Sequence, residues 1–353
     1  VTVTSIPGTA PAAPVLCVEA AVTSVTQLCP SFRRITLAGP ELAGLSPALL
    51  GAGDLTRCRD AYIKLLVPPP GRAPERADLS LGLREGWFAR PAEERGWMRT
   101  YTVRGVRRTT FCGIVVPELV IDVVVHDGHG QDGPGSRWAA AAAPGERVYL
   151  LGPGPEERPW AAWDHGGARH VLAVGDETAA PALMSVAEEF AEEFADAPHT
   201  GAADGSRPRL DVVLEVPHRD DVAAHRLAAE LPDVRLHVLP RAGRGAPAGH
   251  GHRAAARLAR LLGLPGGAVD DVLAGRRPQR GEHAPVPLRV GERPEEPRAW
   301  SVAAPGRADV PYVFLAGESG TVKALRRLCV DAAGIPKDNV SFMGYWRQGQ
   351  AES

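Results

Sequence analysis

The run Trp97 to Arg104, WMRTYTVR, places an Arg two residues before a Tyr-Thr pair. Side chains of an extended chain alternate, so Arg99, Tyr101 and Val103 share one face while Thr102 and Arg104 share the other. The first face then pairs a guanidinium, which can grip a phosphate through two parallel hydrogen bonds, with the flat surface of a phenol ring. That pairing suits a nucleotide-like cofactor such as a flavin, although Arg and Tyr also cover ordinary sheet edges. A second stretch, GHGQDGPGSRWAAAAA, leads a Gly-rich loop into a short helix with Ser136 as candidate N-cap. The N–H groups and positive dipole end of such a start favour a pyrophosphate, but a loop that only turns a corner has the same composition.

Several other side chains have reactive types without a reactive arrangement. His126, Asp127, His129 and Asp132 carry metal-ligand groups, yet a Gly-rich turn gives them no fixed geometry and no metal site is expected. Cys17, Cys29, Cys58, Cys112 and Cys329 form no C-x-x-C pair, which fits reduced thiols rather than a disulfide framework or an iron–sulfur site. Glu188, Glu189, Glu192 and Glu193 are expected on a solvated helix face, and His250 and His252 in solvent. No Ser-His-Asp or paired-carboxylate spacing stands out.

The elements that must position these groups fall into two halves. Short β-branched runs closed by Pro or Gly, namely LCVEAAVTSVTQLCP, FRRITLAGPEL, AYIKLLVPP, TYTVRGVRR and LVIDVVVHD, argue an antiparallel barrel or sandwich before residue 130. After Gly167 the pattern alternates buried strands with helices: HVLAVGDETAAPALMSVAEEF, LDVVLEVP, VRLHVLP, YVFLAGESGTVKALRRLCVDAAG and VSFMGYW. That alternation specifies a mostly parallel sheet of the nucleotide-binding kind. The expected layout is a disordered arm over residues 1–15, a cofactor-binding β-barrel domain over 16–160, and an α/β domain over 168–353. Residues 241–298, rich in Pro, Gly and Arg, interrupt the second domain as a surface excursion with one amphipathic helix from His252 to Leu262.

Length and composition set the outer bounds. At 353 residues two domains are favoured, and 44% apolar with 23% charged residues is ordinary globular composition. A formal charge of −2 gives no global attraction to nucleic acid or anionic lipid. With no long apolar run and no recognisable leader, the chain is expected to be cytoplasmic, without membrane or nucleic-acid partners, and a monomer.

The Arg99-Tyr101-Thr102 strand, the Gly133–Ala139 helix start, the GDET turn, and the GESGTVKALRR and GYWRQGQAE stretches occur together in this order. In that combination the chain resembles the siderophore-interacting protein family, the FAD-containing ferric-siderophore reductases related to ferredoxin reductases. The resemblance runs from about Cys17 to Glu352 and is interrupted at 241–298. It implies a ferredoxin-reductase-like layout: an N-terminal antiparallel β-barrel that binds FAD, then an α/β parallel-sheet domain that meets NADPH or NADH. It further implies that Arg99, Tyr101, Thr102 and Val103 hold the flavin and its phosphates, that Val125 and His126 line its other side, and that Ser136, Trp138 and Ala139 receive the pyrophosphate. Asp176, Glu177, Thr178 and Trp346 would then border the cleft between flavin and nicotinamide. Lys64 matches a basic family position beside the flavin and is the favoured anchor for an anionic ferric siderophore, with Lys323 and Arg326, about one helical turn apart, as further candidates.

The implied activity is reduction of ferric siderophores with electrons from NAD(P)H, releasing Fe²⁺. Some relatives use ferredoxin as the donor instead. Two other readings stay open: an electron-transfer component of another flavin-linked system, or a siderophore-binding protein without turnover. The second half lacks a G-x-G-x-x-G fingerprint, so the choice between NADH and NADPH is not legible.

Overall fold

The structure, a computed structural model, describes residues 13–51, 56, 58–125, 133–194, 207–225, 233–242, 248–278, 300–303 and 310–349. Most of the expected arm, residues 126–132 with His126, and residues 243–247 and 279–298 of the expected excursion lie outside them.

The first half forms a seven-stranded antiparallel sheet: β1 (Val15–Cys29), β2 (Phe32–Ala38), β3 (Tyr62–Val67), β4 (Trp97–Thr102), β5 (Gly105–Phe111), β6 (Ile114–Val124) and β7 (Arg147–Pro153). Their order is β4-β3-β7-β1-β2-β6-β5. Just past β4, the Arg104 N–H donates to Val120 O of β6 at 2.8 Å and brings the sheet's two ends together, as a barrel requires. Alternation fills the interior with Ile35, Leu37, Ile63, Leu65, Val103, Leu119, Ile121 and Leu150, each at most 1% exposed. The short helices α1 (Pro47–Leu50) and α2 (Ala92–Arg95) sit in connections, and α3 (Pro134–Ala141) follows the Gly-rich loop.

The second half is a six-stranded sheet ordered β10-β9-β8-β12-β13-β11. Its strands are β8 (His170–Gly175), β9 (Arg209–Val216), β10 (Val234–Pro240), β11 (Trp300–Ser301), β12 (Tyr312–Glu318) and β13 (Val340–Trp346). All pair in parallel except β11, which runs antiparallel to β13. The near-continuous apolar runs HVLAVG and YVFLAGE follow from burial on both faces. On one face α4 (Ala180–Glu193) packs Leu183 and Phe190 together with Phe32 and Trp163 from the barrel side. The opposite face is covered by α5 (His252–Leu261), α6 (Gly267–Leu273) and α7 (Ser319–Arg327).

This last layer differs from the expected excursion. α5 buries Ala254, Ala255, Leu258 and Ala259, and α6 buries Val269 and Val272, all against Leu172, Val174, Val213 and Leu315 of the sheet. The arginines of α5 dominate its composition, but small and apolar residues four apart give it one apolar stripe, which packs on the sheet like any covering helix. The two halves are joined through Asp221, fully buried, which accepts from the Ser31 N–H at 3.1 Å and the Ser31 hydroxyl at 2.9 Å. No helix among the described residues is long and apolar enough to cross a membrane.

Candidate functional site

Pairing of β3 with β4 sets Leu65 opposite Arg99 and Ile63 opposite Tyr101, so these four side chains share a face. Lys64, Tyr62, Thr100 and Thr102 occupy the other. On the first face, α3 begins directly against β4: a Cβ on Gly135 would collide with the Tyr101 hydroxyl and lie 3.3 Å from Arg99 Cγ. Only the missing side chain allows this approach, which brings the stem of Arg99 and a helix start together from 36 positions apart in sequence.

Among the described residues the electrostatics of this corner are one-sided. The first turn of α3 has no acidic residue, its N-cap Gly133 supplies no side-chain acceptor, and Pro134 has no N–H to satisfy. At the opposite end, Arg33 Nη1 donates to Ala139 O at 3.1 Å and Ala140 O at 2.6 Å and compensates the negative pole. Arg99 Nη1 donates to Met98 O at 2.9 Å. Burial pushes the Tyr101 phenol pKa up, partly offset by Arg99, so the ring stays neutral. A guanidinium, a helix start and a neutral phenol within one corner are the donor set that a flavin dinucleotide with its diphosphate needs, and the residues present fit that group.

Other expected members of this corner sit differently. Val103 and Ala139 are fully buried in the barrel core. Trp138 is 8% exposed, and its indole N–H donates to Glu146 Oε1 at 3.0 Å. Their side chains build the floor beneath the helix start, while Ser136 at the start is half-buried. Val125 is half-buried against the same core. His126 lies outside the described residues.

The face bearing Lys64 is an aromatic groove. Lys64 Nζ donates to Thr100 Oγ1 at 3.0 Å and stands 5.7 Å from the Tyr62 ring centroid; Tyr62 in turn meets Trp160 at 5.6 Å. Tyr345 of β13 hydrogen-bonds the Thr102 side chain and closes the groove from the second half. Burial first, and Asp60 second, push the Tyr345 hydroxyl up. Lys323 and Arg326 do not join Lys64. They lie on α7, which covers the sheet face away from the barrel, with Lys323 exposed and the Arg326 guanidinium 5.0 Å from the Phe342 ring centroid.

The third cluster occupies the carboxyl ends of the parallel strands, between β8 and β12, where the strand order reverses; open α/β sheets bind ligands at such switch points. Asp176, 3% exposed, accepts from Thr178 N at 2.9 Å, Thr178 Oγ1 at 2.6 Å, Glu318 N at 2.7 Å and Trp346 Nε1 at 3.0 Å. Gly317, with φ of 136°, leaves room for this carboxylate, since a Cβ there would fall 2.6 Å from Asp176 Oδ2. Burial first, and Glu177 second, raise the Asp176 pKa. Glu177, 2% exposed, holds both Nη atoms of Arg241 at 2.7 Å. So the expected Asp176, Glu177, Thr178 and Trp346 do converge.

His250 belongs to the same cluster and is not solvated as its sequence context suggests. Its Nε2 lies 3.4 Å from Asp176 Oδ2 and 4.0 Å from Glu177 Oε2, its Nδ1 is 3.2 Å from Thr321 Oγ1, and its ring meets Trp346 edge-on at 5.3 Å. Ligand-type atoms of Asp176, Glu177 and His250 lie within 4.8 Å of one another, but both carboxylates are already engaged, so a cation would have to displace existing bonds. Arg241, Glu215 and Glu318 complete the cluster. Their one sequence signal is a charged residue at the end of an apolar strand, as in LDVVLEVP and YVFLAGE.

Residues 21–157 match the family profile described as a siderophore-interacting FAD-binding domain, and residues 168–349 match the one described as siderophore-interacting protein. An uncharacterized protein of Mycobacterium tuberculosis is 28% identical over 338 residues, covering 94% of this chain and 90% of the relative. Ferric vibriobactin reductase of Vibrio cholerae is 32% identical over 160 residues, 44% of this chain and 48% of that reductase. Among solved structures, a siderophore utilization protein from T. fusca aligns with a TM-score of 0.58 at 23% identity, covering 97% of both chains. The siderophore-interacting protein SipS from Aeromonas hydrophila aligns at 0.52 and 24%, covering 95% of this chain and 92% of SipS, and both likenesses bear on the fold. With the two profiles spanning both sheets, the chain belongs to the siderophore-interacting protein family, with an FAD-binding domain at its N-terminal side.

Proposed function

We propose that the chain is an FAD-dependent reductase of ferric siderophores that draws electrons from NADH or NADPH and acts in the cytoplasm. The observation that carries this reading is the contact of Gly135 with Tyr101 and Arg99, which joins two diphosphate-gripping features into one corner. Bound FAD would supply hydride acceptance and one-electron release, chemistry that no side chain here provides. Arg99 and the first turn of α3, at Gly135 and Ser136, hold the diphosphate. Tyr101 stays neutral and packs beside the cofactor, with Val125 bounding it, while Thr102 faces the Lys64 side of the ribbon. Asp176, Thr178 and Trp346 border the approach of the nicotinamide.

Lys64 takes the anionic ferric complex in the groove lined by Tyr62 and Trp160, whose faces add cation–π and stacking contacts. The iron is substrate: Fe³⁺ gains one electron, and the Fe²⁺ formed is held less tightly by hard oxygen ligands because its charge is lower. The partial match to ferric vibriobactin reductase supports the same substrate class.

The test is anaerobic. The FAD-loaded protein is mixed with NADH or NADPH, flavin bleaching is followed, and Fe²⁺ is trapped as catecholate, hydroxamate or citrate ferric complexes are added. Bleaching followed by Fe²⁺ release faster than free FAD gives is expected. Failure to take up FAD, or bleaching with no gain in Fe²⁺ over free FAD, rejects the proposal.

A further inference from the structure

The crevice at the switch point is anionic in a way that bears on the choice of donor. Two of its helix starts, and the single turn Glu177–Ala179 that leads into the third, are capped by carboxylates of the chain. Asp176 receives the Thr178 N–H ahead of α4, Glu215 receives the N–H groups of Gly251 at 2.7 Å and Ala254 at 2.9 Å for α5, and Glu318 receives Thr321 N–H at 2.7 Å for α7. Glu215 is fully buried, and Glu318 is 8% exposed. With Glu177, three carboxylates, Asp176, Glu177 and Glu215, lie against Arg241 or His250 among the described residues of this edge.

Arg241 follows β10 on this edge and is the guanidinium a nucleotide phosphate would meet. It is already engaged: both Nη atoms go to Glu177 at 2.7 Å, and Glu215 Oε1 lies 3.5 Å from Nη1. NADPH differs from NADH by one 2′-phosphate, which adds roughly two negative charges. In sheets of this kind a 2′-phosphate depends on a nearby Arg. Here that phosphate would compete with Glu177 for Arg241 and enter a crevice already in carboxylate excess.

We propose that the crevice takes NADH in preference to NADPH, with Glu177 as the specificity-determining residue because it keeps Arg241 from a 2′-phosphate. This rests on the assignment of the crevice as the donor site. Arg253, whose Nη2 donates to Arg241 O at 3.4 Å, and Arg219, exposed just after β9, are the described cations that oppose the effect.

The FAD-loaded protein is reduced anaerobically with each nucleotide, and binding of adenosine 5′-monophosphate and adenosine 2′,5′-bisphosphate to the oxidised protein is measured by calorimetry. The expected results are a kcat/KM for NADH about tenfold or more above that for NADPH, and weaker binding of the bisphosphate than of the monophosphate. Glu177→Gln releases the guanidinium and raises bisphosphate affinity about tenfold, with monophosphate affinity unchanged. NADPH equal to or better than NADH, or bisphosphate affinity unaltered in a folded Glu177→Gln protein, overturns the proposal. Should that variant not fold, the two wild-type comparisons decide. Reduction by neither nucleotide removes the donor assignment together with this inference, whereas preference for NADPH removes the inference alone.

Discussion

The start of α3 and the helix starts on the parallel sheet solve the same electrostatic problem in opposite ways. At α5 and α7, and at the single turn that leads into α4, a buried carboxylate from the chain takes exposed N–H groups. Among the described residues at the start of α3 no acid and no side-chain cap is present, and Arg99 adds a second positive group to the positive pole. Like-signed groups gathered this way favour an incoming anion. A helix start is therefore informative as a ligand site only where the chain has not answered it with its own carboxylate.

Removing one of the internal carboxylates should produce the largest effect. Glu215→Ala leaves Gly251 and Ala254 N–H groups buried without acceptors and takes away a neighbour of Arg241. A loss of about 3–5 kcal/mol in urea unfolding is expected, the range for breaking a buried charged group's contacts. FAD affinity per folded molecule should hold. A stable Glu215→Ala protein would mean that the sheet's helix starts do not depend on their carboxylates.

The converse substitution is Arg99→Ala. It removes the guanidinium beside an uncapped helix start, and FAD affinity should fall about ten- to a hundredfold in a fluorescence titration, with little change in apoprotein stability. Retention of full affinity would dissolve the contrast between the two regions. A fall in both stability and affinity would make Arg99 a structural residue like Glu215.

Much of this arrangement was legible in the sequence, and what was not has physical causes. Period-2 alternation put Arg99 and Tyr101 on one face and Thr102 on the other, as β4 does, while Arg104 lies past the end of the strand. The structure sends Arg104 to Glu188 of α4 at 2.7 Å. The alternation of strand and helix gave the parallel sheet because both faces are covered and the strands are apolar throughout. His250 was missed because it stands 74 positions from Asp176, in a Gly- and Pro-rich window that carries no periodicity. Glu188 was expected on a solvated face; its partner Arg104 comes from the barrel, and no helix-local pattern encodes it. The side of the sheet on which Lys323 and Arg326 lie depends on how α7 crosses it, which spacing along α7 does not record.

Two of the buried carboxylates on the sheet differ in the sign of their response to pH, which sharpens the comparison within that region. Burial alone would raise Glu318, but the N–H groups of Gly320, Thr321 and Gln348 outweigh it and hold its pKa below the usual Glu value. Its contribution is present above the unfolded value of about 4.3 and is lost as pH falls through the lower folded value. Asp176 is raised by burial and by Glu177, so its ionisation opposes folding above the unfolded value of about 3.9. Across the interval from about pH 3 to 6, and relative to wild type, Asp176→Asn should gain stability as pH rises above about 3.9, whereas Glu318→Gln should lose it as pH rises toward about 4.3 from below. Urea midpoints across that interval give the check; slopes of the same sign in both variants would show that the Asp176 carboxylate is as well satisfied as Glu318.

The smallest expected effect comes from Lys64, which pairs with Thr100 on the face of the β3–β4 ribbon opposite Arg99. Being half exposed and hydrogen-bonded to a hydroxyl, it adds little to the fold, so Lys64→Ala should change stability by no more than about 0.5 kcal/mol. FAD affinity should likewise hold, because the side chain does not reach the Gly135 corner. A ferric siderophore complex should bind about two- to fivefold more weakly, the worth of a partly screened charge contact. Tryptophan quenching by that complex, with Trp160 in the groove, supplies the readout. If Lys64→Ala instead lowered FAD affinity as far as Arg99→Ala does, the two faces of the ribbon would not be separate sites, and the division between a cofactor corner and a substrate groove would fall with it.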